Sequence, residues 1–264
     1  MAMTGAQPEL PGLATTAPRP GRATGPVIHE ARDIPLLRWI TRHGLVTPQQ
    51  VARAMQRDGG GELPRPFFTS QPAAYRRLAK LRTLGLIQEE RTFWKEPNVI
   101  RVRKPGAELA DVGLQPARIV WAELRHTLAL VDLNERLLTE NAGATLRTER
   151  ELRAQRLSEK RATGKKLSGH PPDAVLVMAA GEEVAVELDL TRKRSARYAG
   201  IIRAYRKEPY KRVLWYIVAE KTPRKAGEES SRVRDLRTIM VKNEAASLIE
   251  VREWIPTVGH DHDH

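Results

Sequence analysis

The segment 172–193, PDAVLVMAAGEEVAVELDLTRK, constrains the fold of this chain more than any other stretch. Its pattern predicts two strands, 173–178 and 183–190, joined by a tight Ala-Gly turn. Side chains in a strand alternate between its two faces. In the second strand, Glu187 and Asp189 therefore share one face, while the valines and leucines share the other. The segment predicts a hairpin with one acidic and one apolar face.

Asp173 opens the first strand beside this acidic face, with Lys193 close behind the second strand. Three carboxylates are therefore expected to converge, those of Asp173, Glu187 and Asp189. Such a cluster is typical of a site for Mg²⁺ or Mn²⁺, which takes oxygen ligands. A cation held there activates water and stabilises a phosphoryl transition state. The alternative interpretation is an antiparallel hairpin with one solvated polar face, which has the same alternation.

An aspartate that opens one strand, followed by an acidic pair inside the next, resembles the PD-(D/E)xK core of restriction-like nucleases. Over residues 34–220 the chain also resembles the plasmid replication-relaxation family, which is related to conjugative relaxases with a restriction-endonuclease-like fold. The segments that carry this resemblance are LRHTLALVDLNERLL (124–138), TERELR (148–153), PDAVLV (172–177) and VAVELDLTRKRSARYAGIIRAY (184–205).

The chain departs from the nuclease pattern at one position. The resemblance implies a lysine two residues after Glu187, and this chain carries Asp189 there. Lys193, in the turn that follows, is the candidate for the lysine's role. The implied catalytic residues are Asp173, Glu187, Asp189 and Lys193, and the three carboxylates are the implied metal ligands. Tyr198 is a candidate nucleophile for covalent nicking, although packing is the commoner role for such a tyrosine.

The segment 33–104 carries the signals of three helices followed by two strands. Thr47, Pro48 and Gln50 form a helix start with a capping box. A third helix begins near Ser70. Three helices and a two-stranded ribbon predict a winged helix-turn-helix, whose third helix enters the major groove while the ribbon touches the flank.

Basic side chains follow one face of the third predicted helix and the returning strand. The cations expected at DNA are Arg76, Arg77, Lys80, Arg101 and Arg103. Arginine suits guanine edges, and both residue types bind phosphate. The alternatives are an ordinary solvated helix face and a winged helix used only for dimerisation.

The remainder of the chain predicts a second domain around the hairpin. The expected order is helix 120–140, strand 145–149, the hairpin, a helix ending near 205, strand 213–218, helix 231–246 and strand 248–254. His126 and Glu149 are additional site candidates, although a helical histidine is more often a packed or surface residue. Arginines and lysines between 150 and 166 predict a basic, mobile loop placed before the acidic strands.

These elements predict an α+β protein of two domains, an N-terminal winged helix-turn-helix and a C-terminal α/β restriction-endonuclease-like domain with a mixed sheet. The predicted boundaries are a disordered leader 1–32, the winged helix 33–104, a linker 105–118, the nuclease-like domain 119–256 and a disordered tail 257–264.

The charge of the chain favours a polyanionic partner. Lysine and arginine number 45 against 32 aspartates and glutamates, a net charge of +13, which indicates double-stranded DNA. A second copy of the chain and other DNA-processing proteins are further candidate partners. The absence of cysteine excludes disulfides, thiolate zinc sites and a cysteine nucleophile. No apolar run approaches the ~20 residues of a membrane span, and we expect a cytoplasmic protein.

The resemblance and the charge together predict a metal-dependent DNA nuclease or nickase, relaxase-like, in plasmid mobilisation or replication. One alternative is a non-catalytic DNA-binding regulator or accessory factor with a degenerate nuclease fold. Another is an adaptor that docks an acidic protein partner. Metal-dependent cleavage separates the first from the second, and salt-sensitive duplex binding separates both from the third.

Overall fold

The computed structural model describes residues 27–56, 63, 70–93, 96–164, 169–219 and 229–255. Within these residues the protein is a mixed α+β structure with eight α-helices and two sheets. Among the described helices, none combines the length and the apolar character needed to cross a membrane.

The N-terminal part contains four helices and a two-stranded antiparallel sheet. Its elements are α1 Glu30–His43, α2 Pro48–Gln56, α3 Gln71–Thr83, β1 Ile87–Glu90, β2 Val99–Val102 and α4 Lys104–Ala110. The predicted capping box opens α2, since the Gln50 amide donates to Thr47 Oγ1 at 3.1 Å and the Thr47 amide donates to Gln50 Oε1 at 2.9 Å. The inward faces of α1, α2 and α3 share one core with the sheet.

Helix α1 begins inside the predicted leader 1–32. The His29 amide donates to Asp33 Oδ2 at 2.6 Å, which satisfies one of the free amides of the first turn. The acidic residues Glu30 and Asp33 in that turn also favour a helix start there. The rest of the predicted leader, residues 1–26, lies outside the described residues.

The predicted linker 105–118 is wrong in its first half, because α4 occupies residues 104–110. Pro105 fits the first turn of a helix, where its missing amide hydrogen costs little. Gly106 lets α4 approach β1, since a Cβ atom there would lie 2.1 Å from the Leu86 carbonyl oxygen. Arg38 of α1 donates from Nε to the carbonyl oxygen of Ala110 at 2.8 Å. These contacts pack α4 onto the N-terminal part.

The C-terminal part is a five-stranded sheet with helices on both faces. After a 3₁₀ turn at Trp121–Glu123, its elements are α5 Leu124–Glu140, β3 Thr145–Thr148, α6 Glu149–Thr163, β4 Ala174–Val177, β5 Glu183–Asp189, α7 Ser195–Tyr205, β6 Arg212–Val218, α8 Ser231–Lys242 and β7 Ile249–Trp254. The strand order is β3-β4-β5-β6-β7. The first three strands are antiparallel and the last three are parallel, which makes the sheet mixed, as predicted.

The predicted alternation of β5 is confirmed by its packing. Val184, Val186 and Leu188 lie in the apolar cluster formed with α5. Ala185 faces the other way, into the cluster formed with α7 and α8. Glu187, on the same face as Ala185, is therefore covered by α7.

The predicted basic loop 150–166 is wrong over most of its length, because α6 spans Glu149–Thr163. Thr148 caps this helix through a capping box with Glu151, and Gly164 ends it in the left-handed conformation. Charged residues solvate the exposed side of such a helix, so a dense run of arginine and lysine does not by itself prevent helix formation. Strand β3 consequently ends at Thr148, and Glu149 is a helical residue.

Polar contacts join the two parts. The Nε2 atom of Gln50 donates to Asp132 Oδ1 at 3.0 Å, and Arg53 reaches the same oxygen at 2.6 Å. Arg42 of α1 pairs with Glu151 of α6 at 2.7 Å. The start of α6 is therefore held against the end of α1.

Candidate functional site

Asp173 and Glu187 lie close together where β4 begins, near enough for the charge of Asp173 to raise the pKa of Glu187. Ala174 pairs with Val186, and the Asp173 amide donates to the Val186 carbonyl at 3.0 Å, one position out of the register of the ladder, as in a β-bulge. The Leu188 amide donates to Asp173 Oδ2 at 2.8 Å and orients that carboxylate. The predicted approach of these two acidic residues is present in the fold.

Two histidines and a tyrosine contact this pair of carboxylates. His126 Nε2 of α5 lies 3.3 Å from Asp173 Oδ1, and His170 Nε2 lies 2.9 Å from Glu187 Oε1. The Tyr205 hydroxyl of α7 donates to the same Glu187 oxygen. We call these five residues the carboxylate–histidine site.

Asp189 is engaged separately by the protein's own donors. The Lys193 ammonium contacts its Oδ1, and the Tyr198 hydroxyl donates to its Oδ2 at 2.6 Å. Arg232 of α8 lies 4.0 Å from Oδ2 and donates to the Asp189 carbonyl at 3.0 Å. Both carboxylate oxygens are thus satisfied in a residue that is only 1% exposed.

The alternative of a solvated polar face is wrong for β5. Glu187 is 3% exposed, and its acidic neighbour Asp189 is equally buried. Helix α7 covers this face and supplies a tyrosine to each carboxylate, Tyr205 to Glu187 and Tyr198 to Asp189. The acidic residues are therefore a buried, partnered feature of the fold.

Within the described ranges, no group of three histidine, cysteine, aspartate or glutamate side chains is arranged to hold a metal ion. The predicted convergence of three carboxylates is therefore not present. The three carboxylates do not converge because each has other partners. Asp189 pairs with Lys193 and accepts a hydrogen bond from Tyr198, while Asp173 and Glu187 pair with histidines.

The charges of the carboxylate–histidine site shift one another's pKa values. Burial, reinforced by the charge of Asp173, raises the pKa of Glu187 to about 6, although His170 and Tyr205 oppose this. Burial lowers the pKa of His126, but its hydrogen bond to Asp173 and the surrounding carboxylates outweigh burial, so the net pKa is raised. His170 behaves in the same way through Glu187, and its pKa is also raised. All three groups therefore hold their protons more tightly than the isolated side chains do.

Glu149 lies near Asp173 but belongs to the start of α6. Burial raises its pKa, and the charge of Asp173 adds to this, while Arg153 opposes it. Arg153 pairs with Glu149 at 2.5 Å. The structure thus places Glu149 at the edge of the site, as a helical residue that is paired with a cation.

The five predicted DNA-contacting cations separate into two sets. Arg76, Lys80 and Arg103 are exposed. Arg77 is buried, because it points inward with Leu78 and donates from Nε to Asp33 Oδ1 at 2.7 Å. Its prediction as a DNA contact is therefore wrong.

Arg101 is half-buried and held by acceptors of the protein. Its guanidinium donates to Glu90 at 2.9 Å and to the Ala117 carbonyl at 3.2 Å. Arg101 pairs with Gln88 across the two-stranded sheet. Its side chain therefore lies within reach of residues on β1, and it binds Glu90 there. The prediction of Arg101 as a DNA contact is not supported by this geometry.

The sequence interpretation missed His170 and Tyr205. A signal for Tyr205 was present, since Tyr198 and Tyr205 are seven residues apart and therefore lie on one face of a helix. That tyrosine face matches the acidic face of β5, on which Glu187 and Asp189 alternate. His170 lies in an irregular segment just before Asp173. No periodic pattern in that segment predicts that its side chain reaches Glu187.

A model of the replication-relaxation family matches residues 37–213, which is more than half of the 264 residues. The matched range begins in α1, includes the carboxylate–histidine site and ends in β6. No curated protein and no solved structure matches the chain.

Proposed function

The chain belongs to the replication-relaxation family, and from this premise we propose that it binds duplex DNA in plasmid replication or mobilisation and cuts or nicks it. The proposal combines a winged helix-turn-helix in the N-terminal part with a restriction-endonuclease-like C-terminal part. Its nuclease half depends on a single observation, the proximity of Asp173 to Glu187 with the Lys193 ammonium beside the same strand.

The N-terminal part supports duplex binding through its element order and its exposed cations. Three helices precede a two-stranded antiparallel ribbon, the order of a winged helix-turn-helix. Arg76 and Lys80 lie four residues apart on the exposed side of α3, and Arg103 follows the ribbon. Such residues neutralise phosphates and release counterions, so the proposed binding is salt-sensitive.

The C-terminal part supports a nuclease-like role through its sheet. Helix α5, the strands β3 to β5, helix α7 and strand β6 follow in the order expected for the restriction-endonuclease-like arrangement, with α6 inserted between β3 and β4. In the proposal, Asp173 before β4 and Glu187 in β5 take the part of the acidic residues of that arrangement. The resemblance to conjugative relaxases remains part of the proposal.

Asp173 and Glu187 are the residues that would hold Mg²⁺ or Mn²⁺. Burial and the charge of Asp173 raise the pKa of Glu187, which means that its ionised form is destabilised. A cation bound between the two carboxylates removes that cost. When bound, the cation supplies a polarised water and stabilises charge on the phosphate. We do not include Asp189 among the ligands, because Lys193 and Tyr198 occupy its oxygens.

The chain's own residues supply the remaining roles. Lys193, held by Asp189, provides the positive charge that the nuclease pattern supplies by a lysine at position 189. His126 and His170, whose pKa values are raised by neighbouring carboxylates, accept and release protons at the edge of the site. Tyr198 is buried and donates to Asp189, which supports packing rather than nucleophilic attack as its role.

A second candidate function is a non-catalytic DNA-binding regulator. One observation favours it, namely that no three potential ligands are grouped for a metal in the described part of the chain. In that case Asp189, Lys193 and Arg232 form a structural ion-pair network at the end of the central strand β5.

Incubating the pure chain with supercoiled plasmid, in Mg²⁺, Mn²⁺ or chelator, separates the two candidates. The nuclease proposal expects relaxed or linear product only with metal, and it expects metal to raise the melting temperature. Asp173→Asn and Glu187→Gln should each abolish both effects while duplex affinity is retained. Glu183→Gln, on the exposed end of the same strand, is the matched control.

If the chain binds duplex DNA in a salt-sensitive way but shows neither metal-dependent cleavage nor metal-dependent stabilisation, the non-catalytic regulator is the function that the result supports. If duplex binding itself is absent at low salt, both candidates fail.

A further inference from the structure

A groove with a cavity of about 490 Å³ lies between α6 and α7 in the C-terminal part. Its lining includes three cations, Arg156 of α6, Arg203 near the end of α7 and Lys207 just beyond that helix. Glu208 is the acidic member of this lining, and its carboxylate lies 3.8 Å from the Arg156 guanidinium. Because that pair is neutral as a whole, Arg203 and Lys207 give the groove a positive charge.

The cations Arg203 and Lys207 are exposed, and neither forms an ion pair with any residue that the structure describes. Arg206, which lies between them in the sequence, is held by acceptors of the protein. Its guanidinium lies 3.1 Å from Glu244 Oε2 and donates to the Asn243 carbonyl at 3.1 Å. The end of α7 therefore directs a paired cation toward the end of α8 and two cations without a carboxylate partner toward the groove.

The inner side of α7 determines which of its residues face outward. Tyr198 and Tyr205 are buried and reach Asp189 and Glu187 of β5. Gly200 lines the groove, and a Cβ atom there would meet nothing within 4 Å. The contacts of the two tyrosines with the carboxylates therefore set the orientation of α7 that exposes its cations beside the groove.

A further cation extends this row along α7. Arg197 is exposed, has no ion pair to a residue within the described ranges, and lies six residues before Arg203. From Arg197 to Lys207 the row is about 15 Å long, at the helical rise per residue. One strand of B-DNA presents about four phosphates over such a length. The row therefore suits a repeating anion, because side chains spread over this distance do not converge on one small anion.

The groove connects with the carboxylate–histidine site. Arg156 and Glu208 also line a second cavity, of about 300 Å³, and His170 lines that cavity as well. The Nε2 atom of His170 lies 2.9 Å from Glu187 Oε1. A polyanion that lies along α7 is thus placed next to the acidic residues to which the proposed function assigns cleavage.

We propose that the groove between α6 and α7, with Arg197, Arg203 and Lys207, binds the phosphate backbone of the DNA that approaches the carboxylate–histidine site. The inference rests on the proposed function and adds to it a second DNA-binding surface, outside the winged helix. Cations of this kind position a duplex without reading its sequence, since phosphates are the same at every base pair. The groove therefore supplies affinity and orientation, and the bases are read elsewhere.

The test measures the affinity of the full chain for a fluorescent DNA duplex at several salt concentrations. Arg203→Ala combined with Lys207→Ala should weaken binding at low salt by about tenfold and reduce the slope of log K against log salt by about two, because two phosphate contacts are lost. The melting temperature should stay close to that of the wild type, since both side chains are exposed.

Arg206→Ala combined with Arg212→Ala is the matched control. It removes the same charge from the same part of the chain, but both arginines are already paired, with Glu244 and with Glu250. Arg206 also lies at the same end of α7 as Lys207, so any effect of these cations on the helix dipole is shared by the two variants. The control should change the salt slope by less than about one.

Wild-type affinity and slope in the Arg203/Lys207 variant overturn the inference, and the proposed function stands if Arg76→Ala with Lys80→Ala still reduces the slope. Equal losses in the Arg203/Lys207 variant and its control overturn it as well, because net charge alone then explains the effect. Loss of binding to poly-L-glutamate, with duplex binding retained, overturns it in favour of an acidic protein partner. Failure of the wild type to bind the duplex at low salt overturns the proposed function itself.

Discussion

The ammonium group of Lys193 contacts the carboxylate of Asp189, two residues beyond Glu187 on β5. The nuclease pattern has a lysine at position 189, and here a cation reaches the same strand from the turn that follows. Asp189 is therefore the residue that positions the cation. The positive charge beside β5 is therefore retained, although Lys193 carries it instead of a lysine at position 189.

Asp189→Asn should destabilise the protein strongly. The substitution removes the negative charge with which Lys193 and Arg232 pair. Breaking a buried ion pair in this way costs about 3–5 kcal/mol. Chemical denaturation of the variant and the wild type measures the difference. Asp235→Asn is the control, since it removes an exposed partner of Arg192 and should cost less than about 1 kcal/mol. Equal losses for the two variants would contradict the assigned role of Asp189.

The free energy of unfolding should fall as the pH rises from about 4.5 to about 6, because Glu187 loses its proton over this range. Its pKa in the folded state is raised from 4.5 to about 6, so the folded protein holds this proton more tightly than the unfolded chain. Stability from that proton is complete below pH 4.5 and is lost as the pH rises through 6, by about 2 kcal/mol. Denaturation at several pH values should show this loss as a difference between the wild type and Glu187→Gln.

The two histidines extend this dependence to higher pH. The raised pKa values of His126 and His170 mean that their protonation stabilises the folded state fully below pH 6.5, and that this stability is lost above it. His126→Gln and His170→Gln should each reduce the slope near neutral pH. A slope that is unchanged in both variants would show that the histidines do not share protons with the carboxylates.

The exposed and buried arginines of α3 should respond differently to mutation. Arg76→Ala combined with Lys80→Ala should weaken duplex binding and reduce the slope of log K against log salt by about two, without loss of stability. Arg77→Ala should instead destabilise the N-terminal part by about 3–5 kcal/mol, because the buried carboxylate of Asp33 then loses its buried cation and keeps only Arg32, 3.3 Å away. Titrations at several salt concentrations, with melting curves of each variant, separate the two effects. A stable Arg77→Ala variant with a reduced salt slope would reverse the assignment.

Gly106→Ala should destabilise the protein by about 1–3 kcal/mol, because the new Cβ atom meets the backbone carbonyl of Leu86, which directly precedes β1. Gly200→Ala is the matched control, since it lies within helix α7 with nothing within 4 Å of the new atom. That substitution should stabilise the protein by about 0.5–1 kcal/mol, the cost of glycine inside a helix. The contrast measures how tightly α4 packs, and it predicts that a fragment ending near residue 105 folds poorly.

Local sequence signals predicted the elements whose formation depends on nearby residues. The capping box at Thr47 and Gln50 opens α2 where expected, and the alternation in β5 places Val186 and Glu187 on opposite faces as predicted. The same logic predicts the start of α6 from Thr148 and Glu151, against the loop that the basic run after them suggests.

The sequence by itself determined the hairpin, the helix starts and the acidic face of β5, because backbone geometry repeats with a fixed period that the side-chain pattern matches. Tertiary structure alone decided which partner each charge takes. Arg77 faces Asp33 across 44 positions, and His170 and Tyr205 meet on Glu187. Buried charges select partners from whatever the packing brings within a few ångströms, since leaving them unpaired is costly. That selection depends on distances between segments far apart in the chain, which no local pattern encodes.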